Sequence, residues 1–173
     1  VEDIKKAHVV APVLDQIVKF EGSFNSYVQH ITLKGFTFSD ADWVMPAEGY
    51  AGSGDVGDVT EPAAVSLNGT RYCNFLDNRI INVGAYALDV TGYGNRIVGN
   101  EIACAGGGGI VTRNYSEKQN VISDNHIHHC GDIYSSACGI YIDDGGGLIS
   151  HNRINNIAQS GIFTRSHDQA KNV

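Results

Sequence analysis

Several things are scarce in this 173-residue chain. Proline occurs three times and methionine once, and Lys, Arg, Asp and Glu together make up only 18% of the residues. Low charge argues against a disordered acidic or basic tail and against a coiled coil. The four cysteines, Cys73, Cys104, Cys130 and Cys138, are too few for a disulfide scaffold, and no CxxC pair marks a zinc site. Basic residues number 12 against 19 acidic, a net charge of −7, with no basic stripe of the kind that holds nucleic acid. No apolar run approaches the ~20 residues of a membrane-spanning helix.

What is abundant is glycine, 21 residues, and a repeat. Asn-x-Ile recurs at Asn78, Asn100, Asn125 and Asn152. Five residues before each lies a second series, Cys73, Asn95, Asn120 and Gly147. Two residues beyond that comes an apolar one, Phe75, Ile97, Ile122 and Ile149. A small residue followed by an apolar one closes the pattern at Ala64, Ala87, Gly109, Gly139 and Gly161. A β-sandwich gives no reason for in-phase series at such spacing. Stacked coils do, so the chain is expected to be all-β, a single-stranded right-handed parallel β-helix over residues 1–173 with six or seven coils. Ile80, Ile102, Ile127 and Ile154 would stack inside, as would Val83, Ala105, Cys130 and Ile157. The ladder asparagines would sit at a sharp turn, where asparagine tolerates the left-handed conformation. Cys104 would face outward with Asn82, His129 and Asn156, leaving all four thiols free. Apolar runs near residue 9 suggest an earlier coil, and the last residues match the middle of a coil. The chain is therefore expected to be a piece of a longer β-helix, truncated at both ends.

Phe38 matches Ile80 one coil on, which implies a groove-wall insertion at about 39–62. Further insertions fall at 113–119 and 132–138. All three border the strand carrying Val65, Leu88, Ile110, Ile140 and Ile162, so a groove is expected over that strand. Its outward residues would be Ser66, Asp89, Val111, Tyr141 and Phe163, then Asn68, Thr91, Arg113, Asp143 and Arg165. Asp143 would lie between Arg113 and Arg165, and opposite charges at that range keep a carboxylate ionised and oriented. Asp143 is thus a candidate acid, base or nucleophile, or else one rung of a charge ladder. Asp144 follows at the turn. Asp89, two coils away, could approach the ~6.5–9.5 Å spacing of an inverting glycosidase pair. The long insertion holds Glu48 among other carboxylates, with Trp43 and Tyr50, a mixture that suits sugars. The same acidic loop could instead hold calcium through its oxygens, although no EF-hand spacing is present. No other cofactor is expected. His126 and His128 would share one strand face and His129 the other, which argues against a metal cluster.

The stretches 122–134, 139–142, 149–154 and 160–162, with Phe36, Phe38, Asp42, Trp43, Glu48, Gly49 and Tyr50 upstream, carry a resemblance. Residues 7–165 resemble the β-helix proteins around glycoside hydrolase family 141. That resemblance implies action on plant-type glycans, with activities such as α-L-fucosidase or xylanase and an aspartate pair. On the combined reading, Asp143, Asp89, Asp144 and Glu48 are catalytic candidates. Trp43, Tyr50, Arg113, Tyr141 and Arg165 are substrate-binding candidates, with no metal site assigned. The expected partner is an oligo- or polysaccharide, and the expected location is secreted, periplasmic or at the cell surface. The competing readings are a non-catalytic glycan-binding or adhesin-type β-helix and a polysaccharide lyase.

Overall fold

The computed structural model describes residues 9–43, 62–113, 119–143 and 147–165. Every regular element among them is a strand, and the strands form three parallel sheets. The first sheet stacks Val18–Glu21, Val65–Arg71, Leu88–Tyr93, Ile110–Arg113, Cys138–Asp143 and Ser160–Arg165, with Val28–Gln29 also paired to the second of these. The second stacks Thr32–Lys34, Asn74–Leu76, Arg96–Val98, Asn120–Ser123 and Gly147–Ser150. The third stacks Thr37–Ala41, Arg79–Val83, Glu101–Ala105, His126–Cys130 and Arg153–Ile157. The chain visits the sheets in that order once per coil. It is a parallel β-helix with six rungs on its first face, as the repeat implies.

The core is the set of inward files. Ile80, Ile102 and Ile127 are fully buried on the third sheet, as are Ile97 and Ile122 on the second and Leu88, Ile110 and Ile140 on the first. Phe38 pairs with Ile80 and caps that file, stacking on Phe75 at 5.8 Å. The small residue at or just before the start of each first-sheet strand has a steric cause. A Cβ on Gly139 would stand 2.6 Å from the Gly161 carbonyl oxygen and 2.7 Å from Ile154 Cγ2. The isoleucines of the third sheet fill the space at that corner.

Between the second and third sheets runs an asparagine ladder. The backbone N–H of Asn78 donates to the side-chain oxygen of Asn100 at 2.9 Å, Asn100 to Asn125 at 2.9 Å, and Asn125 to Asn152 at 3.0 Å. Each amide nitrogen donates back to a carbonyl one coil earlier, as from Asn100 to Phe75 at 3.0 Å. Buried polar backbone at the corner is thereby satisfied. The turn itself is made differently from expectation. The left-handed residues are those just before the ladder, Gly35, Asp77, Gly99, Asp124 and His151, with φ between 51° and 74°. The asparagines follow the bend and seal it with their amides. A shorter ladder joins Cys73, Asn95 and Asn120 at the preceding corner, each bond 2.9 Å.

The long insertion starts slightly later than expected. The third-sheet strand runs to Ala41, paired with Val83, and the coil resumes near Ala63. All four cysteines are unbridged, with Cys104 exposed and the others buried, as the register implies.

Candidate functional site

Strand register fixes the outer face of the first sheet. Asp89, Val111, Tyr141 and Phe163 follow one another across successive rungs, and Thr91, Arg113, Asp143 and Arg165 form the next file. Asp143 therefore lies between Arg113 and Arg165 in the backbone frame, as expected. The side chains add something the pattern did not contain. Arg113 Nη1 donates to Asp89 Oδ2 at 2.7 Å, while its Nε lies 3.7 Å from Asp143 Oδ2. One guanidinium thus joins two carboxylates from rungs two apart, all three side chains being about three-quarters buried. The carboxylate oxygens it joins are no more than about 9 Å apart, inside the range of paired glycosidase carboxylates. Thr91 Oγ1 donates to the other oxygen of Asp89 at 3.3 Å. Arg165 hydrogen-bonds the hydroxyl of Tyr141. Burial raises that phenol's pKa, and the arginine partly opposes the rise.

On the amino-end side of this sheet the expected groove is filled. Segment 131–137 folds down as a cover, with the N–H groups of Ile133 and Tyr134 both donating to the Gly106 carbonyl. Beneath it Tyr86, Val111, Tyr134, Ala137, Cys138 and Tyr141 form a second apolar cluster. Tyr86 is 1% exposed, and its hydroxyl accepts from the Cys138 N–H at 3.3 Å. Trp43 packs edge-on to Tyr134 at 5.0 Å, and Tyr141 stacks on Phe163 at 5.6 Å. These two substrate-binding candidates meet other side chains here, because apolar area is buried when the cover closes. Glu48, Tyr50 and Asp144 lie outside the described residues.

The carboxyl-end side of the first rungs is different. Between Glu21 and Val28 the chain leaves the sheet in a tight excursion closed by the paired backbones of Ser23 and Ser26. It overhangs a cleft of about 620 Å³ lined by Phe24, Tyr27, Asn68, Arg71, Thr91 and Tyr93, with three glycines. Sequence reading missed this cleft. The available signal was the turn-rich stretch 22–27, which carries two aromatic residues among glycine, serine and asparagine. Thr91 belongs both to the cleft and to the Asp89–Arg113–Asp143 set, so the two are continuous.

His126, His128 and His129 lie on the third sheet, away from this face. His126 and His128 rings are 4.2 Å apart, as expected for one strand face. His129 departs from expectation. Its left-handed φ of 52° turns the ring back toward His128, with 2.8 Å between their Nδ1 atoms. Among the described residues no three His, Cys, Asp or Glu side chains converge as a metal set. Of the acidic insertion, Asp42 accepts a hydrogen bond from the Trp43 N–H at 2.8 Å.

No curated protein and no solved structure matches the chain. The family model described as the right handed beta helix region matches residues 63–173. That span covers well over half the chain and every complete coil after the long insertion, so the protein belongs to the right-handed β-helix family.

Proposed function

We propose that this chain is part of a carbohydrate-active protein acting outside the cytoplasm, and that it hydrolyses a complex, plant-type polysaccharide laid across the first sheet. The observation that carries this reading is the Asp89–Arg113–Asp143 set, beside which Thr91, hydrogen-bonded to Asp89, lines a cleft of about 620 Å³. The resemblance to glycoside hydrolase family 141 points the same way. Asp143 is the base or nucleophile. It is the carboxylate more loosely held by Arg113, and it stands at the end of its strand. Asp89 accepts a short hydrogen bond from Arg113, so its role is to orient the arginine. The proton to the leaving group comes from the insertion, with Glu48 as the donor. A general acid needs a raised pKa, which an apolar neighbour gives a carboxyl, and Glu48 lies between Trp43 and Tyr50 in the sequence.

Asp143→Asn keeps the shape and removes the charge. On this proposal turnover of glycan falls by several orders of magnitude while the melting temperature moves by less than about 2 °C. If Asp143 is a rung in a charge ladder, stability drops and cleavage persists. A second reading, glycan binding without turnover, is favoured by Arg113 itself, which occupies the space between the two aspartates. Saturable binding of a polysaccharide by the wild-type protein with no reducing ends released would decide for it.

A further inference from the structure

The cleft under the 22–27 excursion has a floor of bare backbone. A Cβ on Gly22 would stand 2.0 Å from the Gly69 carbonyl oxygen, and one on Gly92 would stand 1.8 Å from that of Thr70. The strand pairing also slips at this point, between Asn68 and Thr70. Glycine is therefore required here, and the slip re-aims the side chains beyond it. The wall is aromatic. Tyr27 meets Tyr93 edge to face at 5.4 Å, Tyr72 backs Tyr93 at 5.8 Å, and Phe24 stands at the rim, 86% exposed.

Arg71 is the one charged residue of the lining. Its Nε donates to Gln29 Oε1 at 2.7 Å and its Nη1 to the Tyr93 hydroxyl at 3.3 Å. Its guanidinium carbon lies 5.2 Å from the Tyr27 ring centroid. These contacts orient the guanidinium plane yet use two of its five N–H groups. Among the described residues no carboxylate pairs with it. The nearby charges on this face are already matched, Glu21 by Lys19 at 2.5 Å and Asp89 by Arg113 at 2.7 Å. A preoriented, uncompensated guanidinium fork suits a planar or trigonal anion. An exposed ring beside it suits the apolar face of a sugar, and Ser23, Asn68 and Thr91 supply partners for hydroxyls. A net charge of −7 leaves little general attraction for anions, so recognition would rest on this local fork.

We infer that this cleft binds an anionic sugar residue, a pyranose bearing a carboxylate or a sulfate ester, with its charge on Arg71 and its ring against Phe24. The inference rests on the reading that the outer face meets saccharide, and it names the class of one unit of that saccharide. The test is calorimetric titration of the full chain carrying Asp143→Asn, so that binding is read without cleavage. The probes are an oligogalacturonate, a sulfated galactan oligosaccharide and a neutral xylo-oligosaccharide of equal length. One anionic probe is expected to bind at least tenfold more tightly than the neutral one, and which of the two does so identifies the anion. Adding Arg71→Gln should erase that preference with the melting temperature unchanged, and adding Phe24→Ala should weaken binding several-fold. Equal binding of all three probes, no binding, or anionic binding indifferent to Arg71→Gln would each overturn the inference. The two proposals fail separately. Arg71-dependent binding with no cleavage by the wild-type protein sinks the hydrolase reading alone. Cleavage of a neutral glycan without such binding sinks this one alone.

Discussion

Two groups of aromatic side chains lie on the outer face of the same sheet, and one is packed while the other is open. At the amino-end side Tyr86, Tyr134 and Tyr141 are all 5% exposed or less, under a segment tied to the Gly106 carbonyl. At the carboxyl-end side Phe24, Tyr27 and Tyr93 surround a cleft, under an excursion whose own closure is a single bridge between Ser23 and Ser26. Residue type does not separate them. The difference is in where each covering segment is anchored: residues 133 and 134, in the middle of one, donate to the neighbouring coil, while the other is tied to it only at its ends, through Gly22 and Val28, and pairs with itself between. Aromatic residues beside an insertion therefore mark packing or recognition according to the backbone partners of that insertion.

The comparison makes its strongest claim about stability. Tyr86→Ala should destabilise the protein by about 3–5 kcal/mol, the usual range for emptying a buried aromatic site. Phe24→Ala should stay within about 0.5 kcal/mol, as exposed positions do. Urea unfolding of both variants measures this, and comparable losses would erase the distinction drawn here. Next in size is the ladder beneath both regions. Asn100→Ala removes the acceptor for the Asn78 N–H and the donor to the Phe75 carbonyl, leaving both buried groups unpaired. A loss of about 2–3 kcal/mol is expected from unsatisfied buried polar groups. Asn82→Ala, on an exposed corner whose left-handed φ of 55° favours asparagine, should lose about 1 kcal/mol, less than the ladder change, if the ladder is what matters.

Much of this architecture was legible because a β-helix writes the same instruction once per coil. The stacking of Ile80, Ile102 and Ile127, and the place of Asp143 between two arginines, both follow from counting along aligned series. What counting could not supply is where an interruption of the repeat goes. Segment 131–137 and the 22–27 excursion each occur once, so nothing in the sequence is in phase with them. Trp43 and Tyr141 are substrate-binding candidates on composition and alternation, which say which face a ring leaves from and not what covers it. The turn residues show a related limit. Asn78 and its equivalents are the conspicuous signal, but the left-handed conformation falls on Asp77, Gly99, Asp124 and His151, residues too varied to form a visible series.

Buried and open thiols give a smaller readout of the same contrast. Burial pushes the pKa of Cys130 and of Cys138 up to about 11, which leaves almost no thiolate near neutral pH. Cys104 is exposed at a corner. An aromatic disulfide reagent at pH 7.5 should label Cys104 at least tenfold faster than the buried three, which should react fully only after unfolding. Fast labelling of Cys138 in the native protein would mean that the cover over the amino-end cluster opens readily.

The smallest expected effect is on acid stability, and it concerns the third sheet, where packing and exposure meet at His128. The Asn156 amide donates to His129 Nε2 at 2.9 Å, so His129 carries its proton on Nδ1 and donates it to His128 Nδ1 at 2.8 Å. His128 then holds its own proton on Nε2, 3.5 Å from Glu101 Oε1. A second proton on His128 would have to enter at Nδ1, where a donor already points. Burial and the neighbouring ring of His126 also disfavour charge there, and together they lower the His128 pKa although Glu101 pulls the other way. A base whose folded pKa lies below its unfolded value of about 6.5 contributes stability above that pH and loses it as pH falls through the folded value. Glu101 acts with the same sign at lower pH. Its pKa is lowered first by the hydrogen bond from Arg79, so its contribution is lost only as pH falls below the ordinary carboxylate range. Urea midpoints should therefore be flat between about pH 7 and 8, decline gently below about 6.5 and decline again below about 4.5. The first step should amount to less than about 1 kcal/mol, because Glu101 opposes the effect of burial. His128→Gln should remove the first step and leave the second, whereas a first step that survives in His128→Gln would assign it to another histidine.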